Sequence, residues 1–311
     1  MAMPNSGEGR RTWGVRNLVT TLIAMLLPVG GSAQLLRPGD IDKLPSKPAD
    51  QRIAYGTEPL QFADLRLPAG KGPHPVAIII HGGCWVSKFA DLQNTAAQAD
   101  ALRDAGIATW NIEYRRNDDP GGGWPGTFHD VARAADHLRE IAGKYNLDLK
   151  RVVAMGHSAG GHLALWLAAR ARLPKTSELY SPRPLPIAGV VVNGGPGDLE
   201  AAREHMKSPC GSDVISALMG GGEQQVPQRY AQGSPVRLLP LGVPQIFLSG
   251  EHDQVVPANF ADDYGAKARA AGDRVQHEVI AGAGHHEYNA PTSVAFPAVK
   301  RAVLSLLEPK K

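Results

Sequence analysis

Apolar residues in this chain are concentrated in short blocks, separated by polar stretches rich in glycine and proline. Residues 75–80 read Pro-Val-Ala-Ile-Ile-Ile and stop at Gly82-Gly83. An unbroken run of this kind predicts a strand buried on both faces, as in a parallel sheet. Further strands are predicted over residues 107–112, 151–155, 187–192, 245–249 and 275–280. Between them apolar residues recur at helical spacing, predicting helices over 95–103 (closed by Gly106), 128–145 and 159–171. One more helix falls between the last two strands, and another closes the chain over 294–307. Residues 118–126 form a Gly/Pro loop. Strands alternating with helices predict an α/β domain with a mostly parallel central sheet and helices on both faces. Right-handed crossovers then bring the C-terminal ends of the parallel strands to one edge, where ligands bind in such folds.

The first 33 residues differ from the rest. Arg10, Arg11 and Arg16 precede an apolar run over 18–27, then Pro28, Gly30-Gly31 and the small residues Ser32-Ala33. Basic, apolar and small residues in that order are the pattern of a cleaved secretory signal. The run is short for a membrane span, so residues 1–33 are expected to be removed and the body to be periplasmic or secreted without stable membrane insertion. Arg10-Arg11 leaves Sec and twin-arginine export both open. Residues 34–52 read as an extended lead-in and 53–311 as the catalytic domain. The 311 residues, 43% hydrophobic and 20% charged, suit one large packed domain. Of the net charge of +3, most belongs to the leader, with three Arg against one Glu. The nearly neutral body has no electrostatic footprint for nucleic acid, and the final Glu308-Pro309-Lys310-Lys311 reads as a solvated tail. Oligomeric state is not legible.

The polar motifs fall just after predicted strands. Gly156-His157-Ser158-Ala159-Gly160 follows one strand and opens a helix rich in Leu and Ala. Glycines at that turn allow a sharp bend that lifts the serine hydroxyl above the sheet, and the helix N-terminus behind it favours developing negative charge. Ser158 is thus the candidate nucleophile. His81-Gly82-Gly83-Cys84-Trp85 follows the first central strand; the backbone N–H groups of Gly83 and Cys84, with that of Ala159, are the candidate oxyanion donors. His81 is expected to brace this loop. Asp253, in Gly250-Glu251-His252-Asp253, is the candidate acid, with Asp198 its rival. His285, after Gly282-Ala283-Gly284, is the candidate base, with His286 its rival. Ser, then Asp, then His is the chain order of an α/β-hydrolase triad. His157 is only the variable position of the pentapeptide. No histidine pair has metal-ligand spacing with further ligands near it, so neither metal nor cofactor is expected.

These motifs resemble the esterase/lipase branch of the α/β-hydrolases, which includes kynurenine-formamidase-like, hormone-sensitive-lipase-like and feruloyl-esterase-like serine hydrolases. The resemblance rests on His81 to Trp85, on the segment from Gly156 to Ala164, on Ser234-Pro235-Val236, on Gly250 to Asp253 with Val256-Pro257, and on Gly284-His285. It implies the α/β-hydrolase fold and a Ser158–His285–Asp253 triad. The oxyanion loop departs from the three-glycine form of the lipase-like esterases, since Cys84 holds the third position. The expected function is a carboxylesterase that cleaves small acyl esters through an acyl-enzyme. The alternatives are an amide-type hydrolase (an arylformamidase or peptidase) and, more remotely, a non-catalytic binding protein on the same fold. Trp85, Tyr114 and Trp124 are expected to narrow the acyl pocket. The Gly-rich segment 194–232 is a candidate small lid. The only cysteines, Cys84 and Cys210, both fall at the active-site edge. Export permits a disulfide between them, but sequence leaves bridge and free thiols equally open.

Overall fold

The apolar blocks become strands of one eight-stranded sheet in a computed structural model, which describes Met1, Gly9 and residues 34–308. Apart from Met1 and Gly9, the expected leader lies outside the described residues, as do the last three residues of the expected tail. The strands are β1 (Gln51–Ala54), β2 (Phe62–Arg66), β3 (His74–Ile80), β4 (Ala108–Ile112), β5 (Leu147–His157), β6 (Gly189–Asn193), β7 (Gln245–Gly250) and β8 (Val275–Ile280). Their spatial order is β1-β2-β4-β3-β5-β6-β7-β8. The first three neighbours in this order are joined antiparallel, and every later pair is parallel.

The period of two along β3 divides the core. Val76, Ile78 and Ile80 face one layer, packed with Trp110, Phe128, Leu138 and Trp166. Ala77 and Ile79 face the other, with Leu102, Met155, Val299 and Val303. Among the helices, α1 (Pro38–Ile41) lies in the lead-in and α2 (Ala96–Asp104) packs on the second face. The first face is covered by α3 (Gly126–Tyr145) and α4 (Ala159–Ala169). Every residue of α4 is buried, which explains why its sequence is apolar all round rather than striped.

The segment expected as a lid folds into α5 (Leu199–Cys210), α6 (Val214–Met219) and α7 (Pro227–Gly233). Their apolar residues Leu199, Met206, Ile215, Leu218 and Tyr230 join the main core. Beyond them, α8 (Asn259–Ala270) follows β7, and α9 (Phe296–Leu307) packs its Phe296, Val299 and Val303 on the second face.

The stretch expected as an extended lead-in is more structured than that. Pro38 starts α1, and β1 begins at Gln51, inside the 34–52 range. The lead-in is also tied down: the Leu36 amide donates to the Glu287 carboxylate at 2.7 Å, and the Lys47 amide donates to Asp100. No described helix is long and apolar enough to cross a membrane.

Candidate active site

Ser158 occupies the bend between β5 and α4, where the chain leaves the sheet at its C-terminal edge. Its backbone angles, φ 54° and ψ −121°, lie where a non-glycine residue is strained. The flanking glycines are required by close approach. A Cβ on Gly156 would lie 2.0 Å from the Gly160 carbonyl oxygen, and one on Gly160 would lie 2.1 Å from that of Ile80. The bend is held by the Ser158 amide, which donates to the Asn193 carbonyl at the end of β6 (2.9 Å).

The loop after β3 is unusual in its backbone. Gly83, Cys84 and Trp85 have φ of 98°, 52° and 55°, three left-handed residues in succession. A Cβ on Gly83 would sit 2.9 Å from Ala90, so only glycine fits. The amides of Gly83, Cys84 and Ala159 have no hydrogen-bond acceptor among the described residues. Beneath the loop, the His81 ring stacks on Tyr114 with centroids 4.3 Å apart, and the Tyr114 hydroxyl donates to the His81 carbonyl (2.9 Å). His81 Nε2 lies 2.9 Å from the buried carboxylate of Glu113, which also accepts from the Leu92 amide and from Arg116. Burial raises the Glu113 carboxyl, but His81 and Arg116 outweigh it and hold it below the ordinary value. His81 therefore braces the loop as expected. Trp85 and Tyr114 are wholly buried, so they pack under the loop and do not wall a pocket. Trp124 is half-buried against Phe128, and its indole N–H donates to Glu178 (2.7 Å).

Cys84 and Cys210 form a disulfide, with Cα atoms 6.0 Å apart. It joins the loop after β3 to the last residue of α5, across 126 residues of sequence.

Asp253 and His285 meet at the ends of β7 and β8. His285 Nδ1 lies 2.8 Å from Asp253 Oδ2, and Asp253 Oδ1 accepts the amides of Val255 (2.9 Å) and Val256 (2.8 Å). Both side chains are buried. Gly194 gives them room, since a Cβ there would come within 2.8 Å of Asp253 Oδ2. The rivals are occupied elsewhere. Asp198 caps α5 through the Ala201 amide and pairs with Lys267 at 2.6 Å. His286 has no bond to Asp253; burial, with the neighbouring His285, pushes it down to about 4.

No hydrogen bond joins the Ser158 hydroxyl to His285 in this structure. The connection runs through His157, whose Nε2 lies 2.7 Å from the His285 carbonyl oxygen. Sequence reading also passes over Glu287, a buried carboxylate that accepts the amides of Gly284 (2.9 Å), His286 (3.2 Å) and Leu36. Most of these bonds end on backbone groups, which carry no sequence signal. Among the described residues no group of three or more His, Cys, Asp or Glu is placed to hold a metal ion.

A mostly parallel sheet covered on both faces, with a strained serine between strand and helix at its C-terminal edge and an Asp–His pair on later strands, defines an α/β-hydrolase. Residues 63–267 match the BD-FAE family, and the chain belongs to it. It is similar to Esterase LipC of Mycobacterium tuberculosis, with 26% identity over 240 residues, covering 76% of this chain and 59% of the relative. It is also similar to a probable isoprenylcysteine alpha-carbonyl methylesterase, ICMEL1, of Arabidopsis thaliana, with 30% identity over 147 residues. That match covers 46% of this chain and 30% of the plant protein. The chain thus spans less than two thirds of the length of both relatives. Solved structures share the fold: a carbohydrate esterase from gut microbiota superposes with a TM-score of 0.69 at 22% identity, covering 83% of this chain and 98% of that one. Butyrate-bound esterase 2 of Thermogutta terrifontis gives 0.66 at 18%, covering 85% and 97%.

Proposed function

We propose that this protein is a serine hydrolase that cleaves carboxylic esters, with Ser158 as nucleophile, His285 as base and Asp253 as the acid that orients it. The observation that carries the reading is the 2.8 Å bond between His285 Nδ1 and Asp253 Oδ2, beside a serine held in a strained elbow. A carboxylate on Nδ1 keeps the proton there and leaves the Nε2 lone pair to act as base. Two backbone amides on Asp253 keep that carboxylate aimed at the ring. His285 takes the proton of Ser158 as its oxygen attacks the ester carbonyl. The N–H groups of Gly83, Cys84 and Ala159 then receive the developing oxyanion. Collapse expels the alcohol, protonated by His285, and leaves an acyl-enzyme. Water, deprotonated by the same imidazole, releases the acid. The esterase names of the relatives from Mycobacterium and Arabidopsis favour this reaction class.

The preferred acyl groups are proposed to be small, because the disulfide holds α5 against the donor loop. Residues 1–33 are proposed to direct export to the periplasm or beyond, a reading favoured by a disulfide, which persists under oxidising conditions.

The test uses purified protein with p-nitrophenyl acetate, p-nitrophenyl octanoate and an aryl formamide. Acetate turnover is expected to exceed the other two. A fluorophosphonate probe is expected to label Ser158, and Ser158→Ala to lose about three or more powers of ten in kcat while folding normally. Full turnover by Ser158→Ala would refute the mechanism. Faster cleavage of the formamide would move the activity to amides.

A further inference from the structure

His157 precedes the serine at the end of β5 and is fully enclosed. Its Nε2 lies 2.7 Å from the carbonyl oxygen of His285, and the two rings are 4.6 Å apart at their centroids. Its Nδ1 lies 3.2 Å from the Asn289 amide nitrogen, and the same nitrogen lies 2.8 Å from Asn94 Oδ1. The protons follow from these partners. A carbonyl only accepts, so Nε2 carries the hydrogen; Nδ1 is then the acceptor, and the Asn289 amide donates to it. The bonds continue from Asn94 Nδ2 to Asp42 Oδ1 at 3.2 Å. Burial, aided by His285 and His286, pushes His157 well below its ordinary value. It therefore stays neutral and adds no second positive charge beside an imidazole that must charge during turnover.

We propose that His157 is a positioning residue for the base, fixing the backbone of His285 in register with Ser158. This rests on the reading of Ser158 and His285 as nucleophile and base. Asp253 secures one atom of the His285 ring, Nδ1, but the ring can still swing with its own backbone. The His157 bond removes that freedom, and its donor belongs to the residue next to the serine. Seryl oxygen and imidazole are thereby referenced to each other across one covalent link and one hydrogen bond.

Two variants separate positioning from space filling. His157→Phe keeps a buried ring and removes the donor. His157→Gln restores an amide N–H near the place of Nε2. With p-nitrophenyl acetate, His157→Phe is expected to lose about 100-fold in kcat with KM changed by less than about threefold, because a misplaced base costs rate rather than affinity. His157→Gln is expected to recover to within about tenfold of the parent kcat. Unchanged kcat in His157→Phe, or equal losses in both variants, would overturn the proposal. Circular dichroism monitors folding. Should His157→Phe fail to fold, Asn289→Leu takes its place, removing the donor to Nδ1 that holds the His157 ring in line with the His285 carbonyl. It is expected to lower kcat about fivefold or more, and an unchanged kcat would again overturn the proposal. Ser158→Ala in the same assay separates the two ideas. Activity there sinks the nucleophile assignment, whereas an inactive Ser158→Ala beside a fully active His157→Phe sinks only the positioning role.

Discussion

His285 and His286 are adjacent, yet their surroundings assign them opposite behaviour. His285 is bonded to a buried carboxylate. His286 is half-buried without a charged partner for its ring, its buried Nδ1 satisfied by nothing among the described residues. His285→Ala is expected to lower kcat by about three powers of ten or more, and His286→Ala by less than about tenfold. Steady-state kinetics of the two variants check this, and a larger loss at His286 would reverse the roles. Gly83 is a second discriminating position. With φ at 98° and Ala90 2.9 Å from any Cβ, Gly83→Ala must displace the loop that carries the proposed oxyanion donors. Losing one such donor typically costs about 100-fold or more in kcat. The expected signature is a fall in kcat larger than any fall in thermal stability, and an unchanged kcat would remove this loop from the oxyanion site.

At the scale of elements, the disulfide joins two pieces with different needs. Cys84 sits at φ 52° in a run of left-handed residues, a conformation that costs a non-glycine residue about 1–2 kcal/mol. The bond to α5, which is itself packed into the core through Leu199 and Met206, opposes relaxation of that turn. Closing a loop of this length accounts for up to about 5 kcal/mol in the chain-entropy picture. Alkylation without reductant is expected to modify neither cysteine. The Cys84→Ala/Cys210→Ala variant is expected to melt at a lower temperature and to turn over acetate esters at least about fivefold more slowly. Parent-like kinetics in that variant would show that the donor loop holds its shape unaided. The same scale marks where sequence reading fails. Continuous runs such as those of β3 and β6 declare themselves because both faces are buried. β1 is four residues long and mostly exposed, so no hydrophobic pattern announces it.

For the molecule as a whole, the buried His157 and His162 and the half-buried His286 contribute to the response to acid. His162 is pushed down to about 4 by burial, against a hydrogen bond to the Gly233 carbonyl that favours its charged form; His286 is also near 4, and His157 is well below its ordinary value. In the unfolded chain each titrates near 6.5. Between about pH 6.5 and 4 the unfolded state takes up protons that the folded state refuses, so stability falls as pH drops through that window and is level in this respect above it. His162 alone accounts for about 3 kcal/mol at the acid end. Urea midpoints are expected to be lower at pH 5 than at pH 7, and the difference to shrink in His162→Gln. An undiminished difference would assign the acid response elsewhere. Much of the fold and of the proposed triad was legible because Ser158, Asp253 and His285 each follow a strand, where topology alone gathers them. His157 was not, because its partner is a main-chain carbonyl 128 residues away. Trp85 and Tyr114 misled for a related reason: a loop address does not reveal that the side chain turns inward.

The attachment of the lead-in bears on how the protein should be handled. The Leu36 amide holds the carboxylate of Glu287, and Leu35 lies against Gly284. The backbone entering at residue 34 therefore runs directly over the turn that presents His285. At the other end, Glu308 lies near Arg151 and Ala188, on the side of the sheet where β5 and β6 begin. An affinity tag or immobilising linker fused just ahead of residue 34 would crowd the proposed base. The same appendage after residue 308 would lie at the opposite end of the strands from the proposed catalytic edge.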